Sequence, residues 1–208
     1  MKIGLFPIKN VLFPETILPL HIFENRYIKL INQSINKEIY FGINLKDKGK
    51  IYDVGCTCNV LDITKKYDDG RFDVLLQGDM RYKIIKKDVN EIGYYIADVE
   101  ILEDFEDIID ENLLNKSIEL YNKIISYIKE LKITKIEKEK LSNKKPSFFI
   151  AQKSGLSLTQ KYELLCLNSE NERISYIYNH LQNIFPIIKE ADTVAKIIKN
   201  NGYYIPKT

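Results

Sequence analysis

Histidine and cysteine carry the widest chemical repertoire in this 208-residue chain, and it has only two of the first and three of the second. His21 and Glu24 stand together in PLHIFE (19–24) and can be read as an acid–base pair. Such chemistry needs a partner within hydrogen-bond reach of the imidazole, and the sequence names none, so a structural role is favoured. Cys56 and Cys58 are two apart in a strand-like run, which turns both side chains to one face. A zinc site would need two more ligands. The candidates, Cys166, His21 and His180, come from distant segments, and no base stands beside either thiol. Small buried residues on one strand face are the reading, with no metal and no cofactor. Arg71 and Arg81 could hold an acidic ligand or a phosphate, but a solvated or turn-bracing arginine is the commoner outcome. Fourteen tyrosines invite comparison with base-stacking surfaces. Without a basic stripe beside them they fit core and half-buried strand faces better.

Bulk properties narrow the classes. A net charge of +2 creates no field toward nucleic acid or an acidic membrane. The Lys pairs at 65–66, 86–87 and 144–145 are scattered among acidic neighbours and read as solvated faces. No apolar run approaches the ~20 residues of a membrane-spanning helix. The opening MKIGLFPIKN is interrupted by Pro7, Lys9 and Asn10 before a signal core forms. An odd number of cysteines without such a signal points to reduced thiols and the cytoplasm.

The elements that must position these residues change period near residue 104. Before it, EIYFGIN (38–44), YDVGCTCNVLDI (52–63), RFDVLLQ (71–77), MRYKIIKK (80–87) and YYIADVEIL (94–102) read as short strands. Asp69-Gly70 predicts a type I′ hairpin and Gly78-Asp79 a second tight turn. Tyr27, Leu30, Ile31, Ser34 and Ile35 form one helical stripe. Regularly spaced strands of this kind suggest a closed or half-closed barrel. Pro14 and Pro19 bracket a crossing strand, with Phe13, Ile17, Leu20, Ile22 and Phe23 expected inside and Glu24 with Arg26 anchoring the following helix. Beyond residue 108, Leu114, Ile118, Tyr121, Ile125 and Ile128 give a helical stripe. The polar run 129–145 reads as an exposed helix end and loop. Pro146 suits a first helical turn, and Ser157/Gln160 and Ser169/Glu172 fit capping boxes. Ile174, Ile177, Tyr178, Leu181, Ile184 and Phe185 line the last strong helix, which Pro186 is expected to weaken or end. No internal repeat is visible.

Four motifs carry a resemblance. VLFPETILPLHIFENRY (11–27) resembles the VLFPG…PL…FE.RY signature of the N-terminal, substrate-binding domain of Lon-type ATP-dependent proteases. DDGRFDVLLQGDMRYKI (68–84) resembles that family's DG…V…G..R motif, and GCTCNVLDI (55–63) fits the strand between. IAQKSGLSLTQKYELLCLNSENERISYI (150–177) is similar to its IA…L.L…KQ..LE…NERL segment, with Lys161, Leu165, Asn171, Glu172 and Arg173 in register. The resemblance covers roughly residues 1–185. Glu15 stands for the usual Gly, Asn25 for a common Pro, and Tyr162 and Cys166 for Gln and Glu. No G-x-x-x-x-G-K-[ST] phosphate loop is present and there is no room for a Ser-Lys protease domain, so a stand-alone version of the domain is expected.

The resemblance implies an α+β chain: a barrel-like (PUA-like) β-rich domain at 1–104 with one inserted helix, a helical bundle at 105–186, and a C-terminal helix or tail at 187–208. It implies a non-catalytic module that binds polypeptide segments or a partner protein, with Phe13, Pro14, Glu15, His21, Glu24 and Arg26 as the candidate binding residues. The alternatives are nucleic-acid binding, by analogy with other small β barrels, and an ATP-independent peptidase.

Overall fold

In the computed structural model, which describes residues 1–128, 133–141 and 145–200, the chain begins with six strands interrupted by one helix and is helical late. The elements are β1 (Lys2–Ile8), β2 (Ile17–Ile22), α1 (Asn25–Ile35), β3 (Tyr40–Asp47), β4 (Lys50–Lys66), β5 (Phe72–Val89), β6 (Tyr95–Ile101), α2 (Glu111–Tyr127), a 3₁₀ turn (Lys138–Lys140), α3 (Pro146–Lys153), α4 (Leu158–Cys166) and α5 (Glu170–Asn200). Part of the polar run 129–145 and the end of the tail, 201–208, lie outside the described residues.

The strands pair in the order β2-β5-β4-β3-β1-β6, and β5 pairs again with β6, so the ladder closes into a ring of five with β2 added outside. Closure depends on the length of β5. Its first half lies between β2 and β4, and its second half between β4 and β6. The predicted tight turn at Gly78-Asp79 is instead a bulge inside this single strand: Cys56 faces Arg81 while Cys58 faces Gly78. The extra residue bends β5 so that it can serve both neighbours. Thr57 fills the gap, its hydroxyl accepting from the Met80 amide (2.9 Å) and donating to the Met80 carbonyl (3.2 Å).

Turn chemistry also departs from expectation. Asp69-Gly70 does join β4 to β5, but only Gly70 has positive φ (87°), and its amide bonds the Tyr67 carbonyl. That is a type I turn followed by a left-handed glycine. The loop with positive φ at both central residues is Lys48-Gly49, between β3 and β4. The one parallel pair, β1 with β3, is the one whose connection contains α1.

The helical half follows its pattern closely. Leu114, Ile118 and Tyr121 are buried, joined by Ser117 and Ile124. Pro146 opens α3, and Ser157 with Gln160 forms a complete capping box on α4. Ser169 accepts from the Glu172 amide and donates its own proton to Asp107. Pro186 does not end α5, which runs to Asn200. Pro186 and Gln182 both lie on the exposed side, so the carbonyl deprived of its donor is left to water. One core cluster unites Val11, Phe13, Leu45 and Val54 of the β part with the buried faces of α2 to α5. A second fills the space between the sheet and α1. Among the described residues no helix is long and apolar enough to cross a membrane.

Candidate functional site

The loop 9–16 and the β5 bulge hold one another. The Glu15 amide donates to the Gly78 carbonyl (2.9 Å), and the Gly78 amide donates to the Thr16 carbonyl (3.0 Å). A Cβ at position 78 would sit 2.1 Å from the Phe13 carbonyl oxygen, so only glycine fits. Glu15 has φ 61°, a left-handed conformation that costs an ordinary L-residue about 1–2 kcal/mol. The glycine usual at this position in the resembling family would adopt it freely, so the substitution keeps the loop geometry at an energetic cost. Phe13 and Pro14 are buried, and the Phe13 ring stacks on Phe148 of α3 at 5.4 Å.

Beyond this loop β2 starts a new alternation. Leu18, Leu20 and Ile22 turn toward the core, whereas Ile17, Pro19, His21 and, just past the strand, Phe23 turn out. The expectation that Ile17 and Phe23 pack inside is therefore wrong; Phe23 is 61% exposed. Alternation cannot be counted from Phe13 because the Pro14–Thr16 loop is not strand. The Ile17 carbonyl accepts from Gln152 of α3 (2.9 Å), so Ile17, and with it Pro19, presents its backbone to the outer edge, where a missing N–H costs no ladder bond.

His21 acquires the partner that the sequence could not name. It faces Asp73 across the β2–β5 ladder, with Nδ1 2.6 Å from Asp73 Oδ1. The Tyr67 hydroxyl donates to the other carboxylate oxygen (3.0 Å). The His21 hydrogen bond, with help from Tyr67 and Lys65, holds the Asp73 carboxyl below the ordinary range. The neighbouring hydroxyl is thus already committed to the carboxylate, and the cluster reads as a surface cross-strand brace. Arg26 donates to Glu24 and to the Gly93 carbonyl (3.3 Å) and lies over the Tyr27 ring. The pair anchors the start of α1. Asn25 is the first residue of that helix, the position where the family's common Pro would be welcome.

Arg81 is neither solvated nor bracing a turn. It is 1% exposed, and its Nη1 donates to the carbonyls of Leu165 (2.7 Å) and Leu167 (2.6 Å) at the end of α4. Its Nη2 donates to Asp104 and Asn168. Arg173 of α5 meets the same carboxylate with two nitrogens (2.9 and 2.7 Å) and also grips Glu170. It lies over the Phe148 ring at 4.5 Å. Burial pushes the Asp104 carboxyl up, but hydrogen bonding and charge from Arg173, with Arg81 and Lys145, outweigh it and hold it below 3.8, its ordinary value. Burial dominates at Glu170, whose carboxyl is raised despite Arg173. Phe13, Phe148, Arg173, Asp104 and Arg81 therefore form one joint between the β and helical parts; Phe13, Arg81 and Arg173 come from three of the four sequence motifs, Asp104 and Phe148 from none. Both strand cysteines are buried in the barrel core, where burial pushes the Cys56 thiol up to about 12. Neither thiol is available as a nucleophile.

The surface suited to a ligand lies elsewhere. β4 outruns β3 by half its length. Pairing with β3 stops at Cys58, while pairing with β5 continues to Lys66. Among the described residues the far edge of 59–66 has no strand beside it. A groove of about 560 Å³ runs there between the end of α1 and β4. Ile35, Ile39, Tyr40, Val60, Leu61 and Ile63 line it, with Lys37 and Asp62 at opposite charge within it. Tyr40 is 67% and Leu61 53% exposed. Bulges between Val60 and Asp62 and between Ile63 and Lys65 break the regular edge, so the apolar walls, more than a flat ladder, would do the binding. The motif at 55–63 runs through Val60, Leu61 and Ile63 but marks only a strand, not a groove. The only hint in the sequence was three large apolar residues, Tyr40, Leu61 and Ile63, in strands otherwise half polar.

Among solved structures, a Lon N-terminal domain protein from Xanthomonas campestris superposes with a TM-score of 0.66 at 21% identity, over 84% of this chain and 95% of that one. The N-terminal domain of a Mycobacterium avium complex Lon protease gives 0.62 at 15% identity, over 88% and 98%. These establish the fold. The Lon protease of Buchnera aphidicola subsp. Acyrthosiphon pisum is 24% identical over 96% of this chain, and that of Flavobacterium johnsoniae 28% over 83%. The chain spans only 27% and 23% of the length of these relatives. The family described as the ATP-dependent protease La (LON) substrate-binding domain matches residues 2–183, and the chain belongs to that family.

Proposed function

We propose that this chain is a non-catalytic polypeptide-binding module that takes an extended apolar segment of an unfolded or partner protein into the α1–β4 groove. The observation that carries this reading is the exposed apolar wall of Tyr40, Leu61 and Ile35 beside an unpartnered strand edge in a domain whose family is defined by substrate binding. Large exposed apolar groups grouped in a concavity mark partner sites. The opening-motif residues divide their work in this reading. Phe13 and Pro14 support the fold from within, Glu24 and Arg26 fix the helix that forms one wall, and Glu15 and His21 offer polar contacts on the exposed side of β2 to a longer segment. Three unpaired thiols suit a reducing compartment such as the cytoplasm.

Fluorescence anisotropy with a labelled, permanently unfolded alkylated polypeptide tests the reading. The double variant Tyr40→Ser/Leu61→Ser should weaken binding by about tenfold with an unchanged melting temperature. Absence of binding, or equal binding by the variant, refutes the assignment. The His21–Asp73 pair gives the peptidase alternative its one supporting contact, so turnover of a fluorogenic peptide should be measured as well. None is expected, and turnover abolished by His21→Ala would overturn the non-catalytic reading.

A further inference from the structure

Residues 102–110 form an extended strap between β6 and α2, and the strap carries a second surface of different chemistry. Its backbone is pinned. The Phe105 amide donates to the Asn168 carbonyl (2.8 Å), Asp107 accepts from Ser169 and from the Asn171 amide, and the Asn171 side chain donates to the Ile108 carbonyl. The strap is therefore held in place while its apolar side chains are not covered. Phe105 is 68% and Ile108 94% exposed, and Met80 of the β5 bulge joins them along a cleft of about 1000 Å³. Two large apolar side chains turned outward from a fixed backbone are costly to leave in water.

Charge along the same cleft is mainly acidic: of the two cations in its lining, Arg81 is buried on Asp104 and Lys145 also reaches Asp104 (3.8 Å). Asp104 is consumed by the two buried arginines, Asp107 by Ser169, Asp110 by the cap of α2, and Glu111 by Lys138. Glu103 and Glu106 line the cleft as exposed carboxylates without an ion pair among the described residues. We infer that this cleft is a docking surface for a basic, apolar polypeptide segment, one in which Lys or Arg side chains alternate with large aliphatic or aromatic ones. Phe105, Ile108 and Met80 would take the apolar side chains, and Glu103 and Glu106 the cations. The inference is independent of the α1–β4 groove, whose lining carries one charge of each sign.

Two labelled synthetic peptides of equal length and apolar content, one with Lys/Arg and one with Asp/Glu at the polar positions, provide the test by anisotropy on the full chain. The basic peptide should bind and the acidic one should bind at least ~10-fold more weakly. Phe105→Ser/Ile108→Ser should weaken the basic peptide by about tenfold. Glu103→Gln/Glu106→Gln should weaken it about threefold and flatten its dependence on salt. All four side chains are exposed, so thermal melting should not move. Equal binding of the two peptides overturns the inference. So does indifference to both double variants, or loss of binding on Tyr40→Ser/Leu61→Ser instead, which would place the basic peptide in the other groove.

Discussion

The Arg81–Asp104–Arg173 joint and the α1–β4 groove are built from opposite materials. The joint is charged and buried, and each carboxylate oxygen of Asp104 accepts from an arginine. The groove is apolar and exposed, and among the described residues no strand completes its edge. Charges removed from water survive only when paired, so the joint tolerates little change, and both of its arginines belong to recognisable motifs. An apolar wall needs only suitable size and shape, so the groove can vary without harming the fold. The motifs by which the chain is recognised are thus chiefly architectural, and the proposed binding groove meets only one of them, the strand motif at 55–63.

That contrast can be broken first at the joint. Arg173→Ala should cost about 3–5 kcal/mol in urea unfolding, because the buried Glu170 would lose its ion partner and Asp104 would keep only Arg81 and Lys145. A loss below about 1 kcal/mol would mean that water reaches the joint. Its response to acid sharpens the point. Asp104 titrates below its ordinary 3.8 when folded, so its contribution is present above that value and is lost as pH falls through the folded value. Glu170 is raised above its ordinary 4.5, so its penalty is relieved as pH falls toward 4.5. The joint should therefore strengthen slightly down to about pH 4.5 and weaken below 3.8. Asp104→Asn should remove the lower limb from stability–pH curves.

Gly78→Ala comes next, at about 2–4 kcal/mol by the same unfolding measurement, because the new methyl meets backbone and not a movable side chain. Tyr121→Phe should be stabilising by about 1 kcal/mol, since its hydroxyl is buried in the helical core without a partner among the described residues. The smallest effect belongs to the groove, where Tyr40→Ser/Leu61→Ser should stay within about 0.5 kcal/mol of the parent. A marked loss there would show the groove to be structural after all.

Much of this was legible from local pattern. The strand–helix switch near residue 104, the capping box at Ser157, Pro146 at a helix start and the stripe around Leu114 all rest on short-range rules. The departures have separate causes. Gly78-Asp79 looked like a turn because glycine marks turns and bulges alike. Ile17 and Phe23 turn outward because the Pro14–Thr16 loop resets the alternation. The burial of Arg81 is invisible to local pattern because its partners lie 23 and more than 80 residues away.

By itself the sequence determined most element types, the helix starts and membership in the family, since each follows from periodicity, caps and motif order within a few residues. Only the tertiary structure decided that Arg81 and Arg173 share Asp104, that β2 shows His21 to solvent against Asp73, and that β4 outruns its neighbour beside an apolar groove. Period-two and period-3.6 patterns say which residues share a face. What that face meets depends on segments far apart in the chain, and on where one strand stops relative to the next.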